Sequence, residues 1–356
     1  MTDQLRIALA QLNPTVGALP ANLAKARAAI SEAAQHNADL IVFTELFLSG
    51  YPPEDLVLKP AFIEDCRAVL DQLASETARG GPAILMTLPW GEGDEVYNAV
   101  ALLDGGKVVT VRFKHDLPNY GVFDEQRVFT AGPAPGPISF KGVRIGVPIC
   151  EDIWTEDVCE CLAETGAEML LVPNGSPFES DKQDVRLNLS VARVTETGLP
   201  LVYLNQVGGQ DELVFDGASF GLNGDRSLAF QMPAFTEMVL VTDWQRMDGT
   251  WQCTPIDPHP VIEGHETVWR ACVLGLKDYV EKNRFPSIVL GLSGGIDSAV
   301  VAAMAVDALG PERVHCVMLP YKYTSGESLS DAEACAVALG VQYDVVPIAG
   351  PVDGFN

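Results

Sequence analysis

Basic residues are scarce in this chain: 23 Lys and Arg stand against 48 Asp and Glu among 356 residues, for a formal net charge of −25. A general nucleic-acid or anionic-membrane surface needs a basic footprint, so neither class fits; an anion held in a local basic or helix-dipole pocket is still allowed. Long apolar runs are missing as well. None approaches the ~20 residues that cross a bilayer, and no charged segment followed by an apolar one opens the chain. The eight cysteines (Cys66, Cys150, Cys159, Cys161, Cys253, Cys272, Cys316 and Cys335) form no CxxC pair, and the histidines supply no zinc spacing. These absences lead to the expectation of a cytoplasmic protein with reduced thiols and no nucleic-acid or membrane partner.

What is present reads as globular: 47% hydrophobic and 20% charged residues, over a length sufficient for two ordinary domains. Leu5–Gln11 alternates like a strand, Asn13-Pro14 breaks it, and Asn22–His36 is an Ala-rich helix. Apolar strands are expected at Leu40–Phe43, Ala83–Leu88, Val143–Ile149 and Met169–Val172. Helices are expected at Ala61–Arg79 and Thr155–Thr165, and a hairpin at Asp104-Gly105-Gly106. Antiparallel pieces follow at Leu201–Gln206 and around Asn223-Gly224. The βα order predicts an α/β layered architecture. Asp248–Glu263, rich in Pro, Gly and Asp, reads as a linker between a domain at 1–247 and another at 264–356.

Three reactive side chains, Glu45, Lys114 and Cys150, fall near strand ends, where α/β folds build sites. A thiol between a strand and a helix can have its pKa lowered by the helix N-terminus and a nearby cation. Lys114 could be that cation, and Glu45 could take the thiol proton and deliver it to a leaving group. Taken singly, a cysteine after an apolar strand is more often core, and a lone Lys or Glu more often solvated surface.

The blocks FTELFLSGYPPEDL (43–56), FKHDLPNYGVFDEQRVF (113–129), GVPICEDIW (146–154) and NGSPF (174–178) resemble the carbon–nitrogen hydrolase (nitrilase) superfamily, and within it the glutaminase branch of glutamine-dependent NAD synthetases. The resemblance implies a nitrilase-like αββα sandwich with Glu45 as base, Lys114 as stabiliser of the transition state and Cys150 as nucleophile. It further implies glutamine contacts from Tyr120, Ser176 and Lys182, a supporting role for Glu125, and at most a wall role for Phe178.

Ser287–Ala299 reads SIVLGLSGGIDSA, a strand, a glycine loop and a helix. Gly294 and Gly295 let backbone approach an anion, Ser293 and Ser298 add hydroxyl donors, and the helix from about Asp297 points free N–H groups at the loop. Neither GxxxxGK[ST] nor GxGxxG is present, so a Walker loop and a dinucleotide fingerprint are both excluded. The string SGGIDS is similar to the PP-loop of ATP pyrophosphatases, whose domain is Rossmann-like. That likeness implies ATP binding by Gly291, Leu292, Ser293, Gly294, Gly295, Ile296, Asp297 and Ser298, Mg2+ near Asp297, and adenine near Met318-Leu319-Pro320. Tyr323-Thr324-Ser325 resembles the stretch that follows in NAD synthetases.

The pairing implies an ATP-dependent ligase whose substrates are L-glutamine, ATP and nicotinic acid adenine dinucleotide, assembled as a homo-oligomer. The stretch after Glu263 is shorter than such a synthetase domain, so the expectation is that the second domain is incomplete and that the chain alone keeps only the glutaminase site. The rival readings are a stand-alone ω-amidase or nitrilase with a remnant nucleotide-binding segment, and a sensor that binds without turnover.

Overall fold

Alternation in the first strand decides the layering. In β1 (Gln4–Gln11), Leu5, Ile7 and Leu9 face one core while Ala8 and Ala10 face another, the two-residue period of a strand buried on both sides. The computed structural model describes residues 2–355. They divide into two units: one runs to Gln210 and resumes at Phe215–Glu263, and the other comprises Asp211–Val214 and everything from Gly264 onward.

After β1 come α1 (Leu19–Gln35), β2 (Leu40–Phe43), α2 (Pro60–Glu76), β3 (Ala83–Glu92), β4 (Glu95–Asp104) and β5 (Lys107–Phe113). The next group is the short α3 (Glu125–Val128), β6 (Ile138–Phe140), β7 (Val143–Gly146), α4 (Asp157–Glu164), β8 (Met169–Asn174) and α5 (Lys182–Thr197). Then follow β9 (Leu201–Asn205), β10 (Val207–Gln210), β11 (Leu213–Asp216), β12 (Phe220–Leu222), β13 (Leu228–Gln231), β14 (Met238–Met247) and β15 (Thr250–Cys253). One sheet has the order β15-β14-β1-β2-β3-β4-β5 and the other β13-β12-β9-β8-β7-β6. Each is parallel at its centre, β1-β2-β3 in the first and β7-β8-β9 in the second.

The sheets bury a common core that includes Ile7, Val42, Leu85, Ile145, Leu171 and Val202. Ala26, Ala29 and Ala33 of α1 and Cys66, Leu70 and Leu73 of α2 cover the outer face of the first sheet. Val158 and Leu162 of α4 and Val194 of α5 cover that of the second. This is the expected αββα sandwich. Helix α1 starts three residues before the expected Asn22, because Pro20 occupies its first turn, where a missing N–H does no harm.

The linker expected at 248–263 needs correction. Asp248-Gly249 is a hairpin turn, and β15 pairs with β14, burying Trp251 and Cys253. Ile256 and His259 donate backbone N–H groups to Ala229 and Gln231, so this stretch adheres to the first unit.

In the second unit α6 (His265–Lys282) precedes β16 (Ile288–Gly291), α7 (Ile296–Leu309), β17 (Val314–Met318), α8 (Gly326–Leu339), β18 (Gln342–Val345) and α9 (Ala349–Gly354). The strands form a parallel sheet in the order β16-β17-β18. Its core holds Leu292, Ala302, Ala305, Cys316, Met318, Ala332 and Ala336. Among the described residues no helix is long and apolar enough to cross a membrane.

Candidate active site

Strand ends deliver the site. Glu45 lies two residues past β2, Lys114 directly follows β5, and Gly175 directly follows β8. Lys114 is fully buried, and its Nζ donates to Glu45 Oε1 at 2.7 Å and to Glu125 Oε1 and Oε2 at 3.0 and 2.8 Å. Glu45 also accepts from Asn98 Nδ2 at 2.8 Å and, through Oε2, from the Gly175 N–H at 2.9 Å. A Cβ on residue 175 would lie 2.8 Å from Cδ1 of Tyr51, so glycine is what lets that N–H approach. Tyr51 in turn donates its hydroxyl to Glu125 Oε1 at 2.9 Å.

Cys150 is buried and held at φ +49°, a left-handed conformation that a side-chain-bearing residue adopts only when its surroundings impose it. Asp152 does the imposing. Its carboxylate accepts from the N–H of Ile149 at 2.9 Å while its own N–H donates to Ile149 O at 3.1 Å, closing the turn around the cysteine. The other carboxylate oxygen accepts from the N–H groups of His115 and Asp116 at 2.9 and 2.8 Å.

The electrostatics correct one expectation. The Cys150 thiol is pushed well above its ordinary range, by burial first and then by Glu45, with Lys114 acting the other way. Two features explain the reversal. The turn at Cys150–Ile153 is a single 3-10 turn and α4 begins only at Asp157, so no long helix dipole points at the sulfur. Lys114 also sits between two carboxylates, and Glu45 alone outweighs its pull on the thiol. Burial raises Glu125 to about 7, against the pull of Lys114, and raises Asp152 to about 6, against its N–H donors.

The residues expected to hold substrate are differently disposed. Tyr120 is half exposed and donates its hydroxyl to Glu151 Oε1 and Oε2 at 3.0 and 3.1 Å. Both line a cleft of about 690 Å³ with Trp154, Phe129 and Gln126. Lys182 pairs with Glu179 at 3.0 Å and lies 5.1 Å from the centre of the Trp154 ring. Ser176 is buried, and its hydroxyl accepts from Arg186 Nε at 3.1 Å. Phe178 packs on Phe235.

In the second unit the glycine loop spans the end of β16 and the start of α7. Gly294 has φ +78°, and a Cβ there would lie 2.3 Å from Ser328 O, so glycine is required. Ser298 Oγ accepts from the Ser293 N–H at 3.1 Å, meets Ser293 Oγ at 3.1 Å and donates to Gly295 O at 3.0 Å. Gly291, Leu292 and Ser293 line a hollow of about 410 Å³ with Met318, Leu319 and Tyr323–Ser325, so Met318 and Leu319, from the stretch expected to meet adenine, border the loop. Among the described residues no group of three or more His, Cys, Asp or Glu could hold a metal ion by itself.

The carbon-nitrogen hydrolase family model matches residues 6–250. The chain belongs to that family. The NAD synthase model matches residues 268–356. Both models find their counterpart here. Glutamine-dependent NAD(+) synthetase of Rhodobacter capsulatus is 51% identical over 99% of this chain and 63% of its own length. The structure of glutamine-dependent NAD+ synthetase from Acinetobacter baumannii in complex with ADP superposes with a TM-score of 0.92 at 37% identity, over 99% of this chain and 66% of that one. The chain thus spans a little under two thirds of the length of these relatives. The crystal structure of an amidase from Nesterenkonia sp. has a TM-score of 0.61 and 27% identity, over 69% of this chain and 92% of its own.

Within the carbon–nitrogen hydrolase fold, the reading from residues alone missed the supporting shell. Asn98 is a lone amide inside the apolar strand EVYNAVALLD, a signal that could have been seen. Arg186 lies on an amphipathic helix among other polar residues and had no such mark. It is buried, clamps Asp216 through Nη1 at 2.8 and 2.9 Å, and donates to the carbonyls of Ser176 and Pro177 at 2.8 Å each. That clamp fixes the loop whose Gly175 N–H reaches Glu45.

Proposed function

We propose that the first unit hydrolyses the side-chain amide of L-glutamine and that the second binds ATP, the two serving ATP-dependent synthesis of NAD from nicotinic acid adenine dinucleotide. The observation carrying the first half is the buried Lys114 ammonium bracketed by Glu45 and Glu125, in electrostatic reach of a cysteine held at positive φ. Cys150 Sγ attacks the amide carbon as its proton passes to Glu45. The carbonyl π pair moves onto oxygen, where Lys114 and backbone N–H groups stabilise it. Collapse breaks the C–N bond, and ammonia leaves with the proton from Glu45. Water, deprotonated by Glu45, then cleaves the thioester to glutamate and restores the thiol. Tyr120 and Lys182 bear on the side chain's amino-acid end from the cleft and its Trp154 wall, and Ser176 acts through the loop it anchors.

For the second half, the backbone at Gly294-Gly295 and the hydroxyls of Ser293 and Ser298 suit a pyrophosphate at the N-terminus of α7. Mg2+ at phosphate sites takes one or two carboxylates and fills its remaining positions from phosphate and water. Asp297 fits as a single such carboxylate. A cytoplasmic location, a homo-oligomer and a domain boundary beyond β15 belong to the same reading.

The test is direct. The chain is incubated with glutamine, with nitriles and with carbamoyl compounds; ammonia is measured and Cys150 is examined by mass spectrometry for a γ-glutamyl thioester. Turnover of nitriles with none of glutamine would overturn the glutaminase assignment. Failure to form AMP from ATP and nicotinic acid adenine dinucleotide would overturn the second half alone.

A further inference from the structure

Asp152 is fully buried, yet no step of the reaction above uses its carboxylate. Its hydrogen bonds are unusual in their distribution. One oxygen takes the N–H of Ile149, the residue before Cys150; the other takes the N–H groups of His115 and Asp116, the two residues after Lys114. Ile149 and His115–Asp116 belong to different sheets' outgoing segments, one following β7 and the other β5. Among the described residues no strand pairing joins these sheets. A single side chain therefore joins the backbone on which the nucleophile sits to the backbone on which the oxyanion's cation sits.

We infer that Asp152 is a positioning residue that sets the Lys114 ammonium and the Cys150 turn in register, so that the oxyanion formed at Cys150 meets Lys114. The inference rests on the amide-hydrolysing assignment for its catalytic consequence, although the tether itself does not. Three charge-assisted N–H contacts on one carboxylate are each stronger than a neutral hydrogen bond. An asparagine at this position keeps one acceptor oxygen but turns an NH2 group toward backbone donors, so one segment is released. Displacement of about 1 Å in a stabilising group can lower turnover by about 100-fold.

The experiment compares the parent chain with D152N in three measurements. With glutamine, kcat falls by about 10- to 100-fold while KM stays within about threefold, because an interaction realised only in the transition state is lost. Alkylation of Cys150 by iodoacetamide, which needs no oxyanion stabilisation, changes by less than about threefold. Amide exchange at Ile149, or at His115 and Asp116, accelerates, while amides of β2 and β4 remain protected. An unchanged kcat, a loss confined to KM, or alkylation falling in parallel with kcat would each overturn the inference. If the parent chain releases no ammonia, the functional assignment has failed, and the exchange measurement still tests the tether. If D152N does not fold, exchange on the parent chain decides: fast exchange at any of the three amides refutes the tether, and slow exchange at all three supports it.

Discussion

Replacing Lys114 with methionine tests the charge arrangement most sharply, because methionine keeps the length of the chain and removes only the ammonium. In the parent, one cation meets two carboxylates through three contacts of 2.7–3.0 Å with essentially no solvent. Removing it leaves Glu45 and Glu125 as buried like charges. Breaking a buried pair by deleting one partner destabilises by about 3–5 kcal/mol, and the two carboxyls respond by sharing a proton, as close acid pairs do. Glu125 already lies at about 7 in the parent, and loss of Lys114 moves it higher still. A carboxyl whose folded pKa exceeds its unfolded value, about 4.3, contributes stability that is full below that unfolded value and lost as pH rises through the folded one. K114M therefore loses stability more steeply than the parent above neutrality, by up to about 1.4 kcal/mol per pH unit for each additional proton involved.

The assay is urea unfolding at pH 5.5, 7 and 8.5, followed by tryptophan fluorescence; Trp90, Trp154, Trp244 and Trp251 report on the first unit and Trp269 alone on the second. K114M should be less stable than the parent by about 3–5 kcal/mol at the highest pH and by clearly less at the lowest. Amide hydrolysis should fall by about 100- to 1000-fold, the scale of losing an oxyanion donor. A difference between K114M and parent that stays constant across the three pH values would refute the charge bookkeeping, even if activity were lost.

Other perturbations separate chemistry from scaffold. Cys150→Ala should abolish ammonia release from glutamine, by at least about a thousandfold, with the circular dichroism spectrum unchanged. Asn98→Ala removes one donor to Glu45 and should lower kcat about tenfold with KM nearly constant; steady-state kinetics checks both. Arg186→Ala opens a buried bidentate pair and should destabilise by about 3–5 kcal/mol in the same unfolding assay, and Arg186→Lys should rescue little because an ammonium cannot span Asp216, Ser176 and Pro177 together. Gly294→Ala drives a Cβ toward Ser328 O; ATP binding measured by calorimetry should disappear while glutamine hydrolysis stays within about twofold.

The layers of this fold were legible because its central strands are short apolar runs with bulky branched residues. Leu40–Phe43 falls where the residues put it, and so do the hairpin at Gly105-Gly106 and the glycine loop after β16. The Pro- and Gly-rich stretch at 248–263 misled for a physical reason: β15 is four residues long and is recognisable only by what it pairs with. Strand β18, Gln342–Val345, escaped notice because its polar residues carry no apolar run. The same division holds in the site. Residues that do chemistry stand in distinctive motifs, whereas Arg186 meets Asp216 across 30 positions and Asn98 meets Glu45 across 53, and no local pattern encodes such a partner.

The environment of Cys150 constrains the order of events in the proposed reaction. A sulfur pushed up by burial and by Glu45 rests as a thiol, so the enzyme does not store a thiolate. The proton must move as the carbon–sulfur bond forms. Glu45 can receive it because Asn98, Gly175 and Lys114 fix both carboxylate oxygens. Once the proton has arrived, Glu45 is neutral and Lys114 faces only Glu125. The oxyanion that has just formed then meets a neutral Lys114–Glu125 pair instead of a net-negative triad. The bracket that is net negative at rest thus becomes neutral as negative charge appears on the substrate, while Lys114 stays held by Glu125.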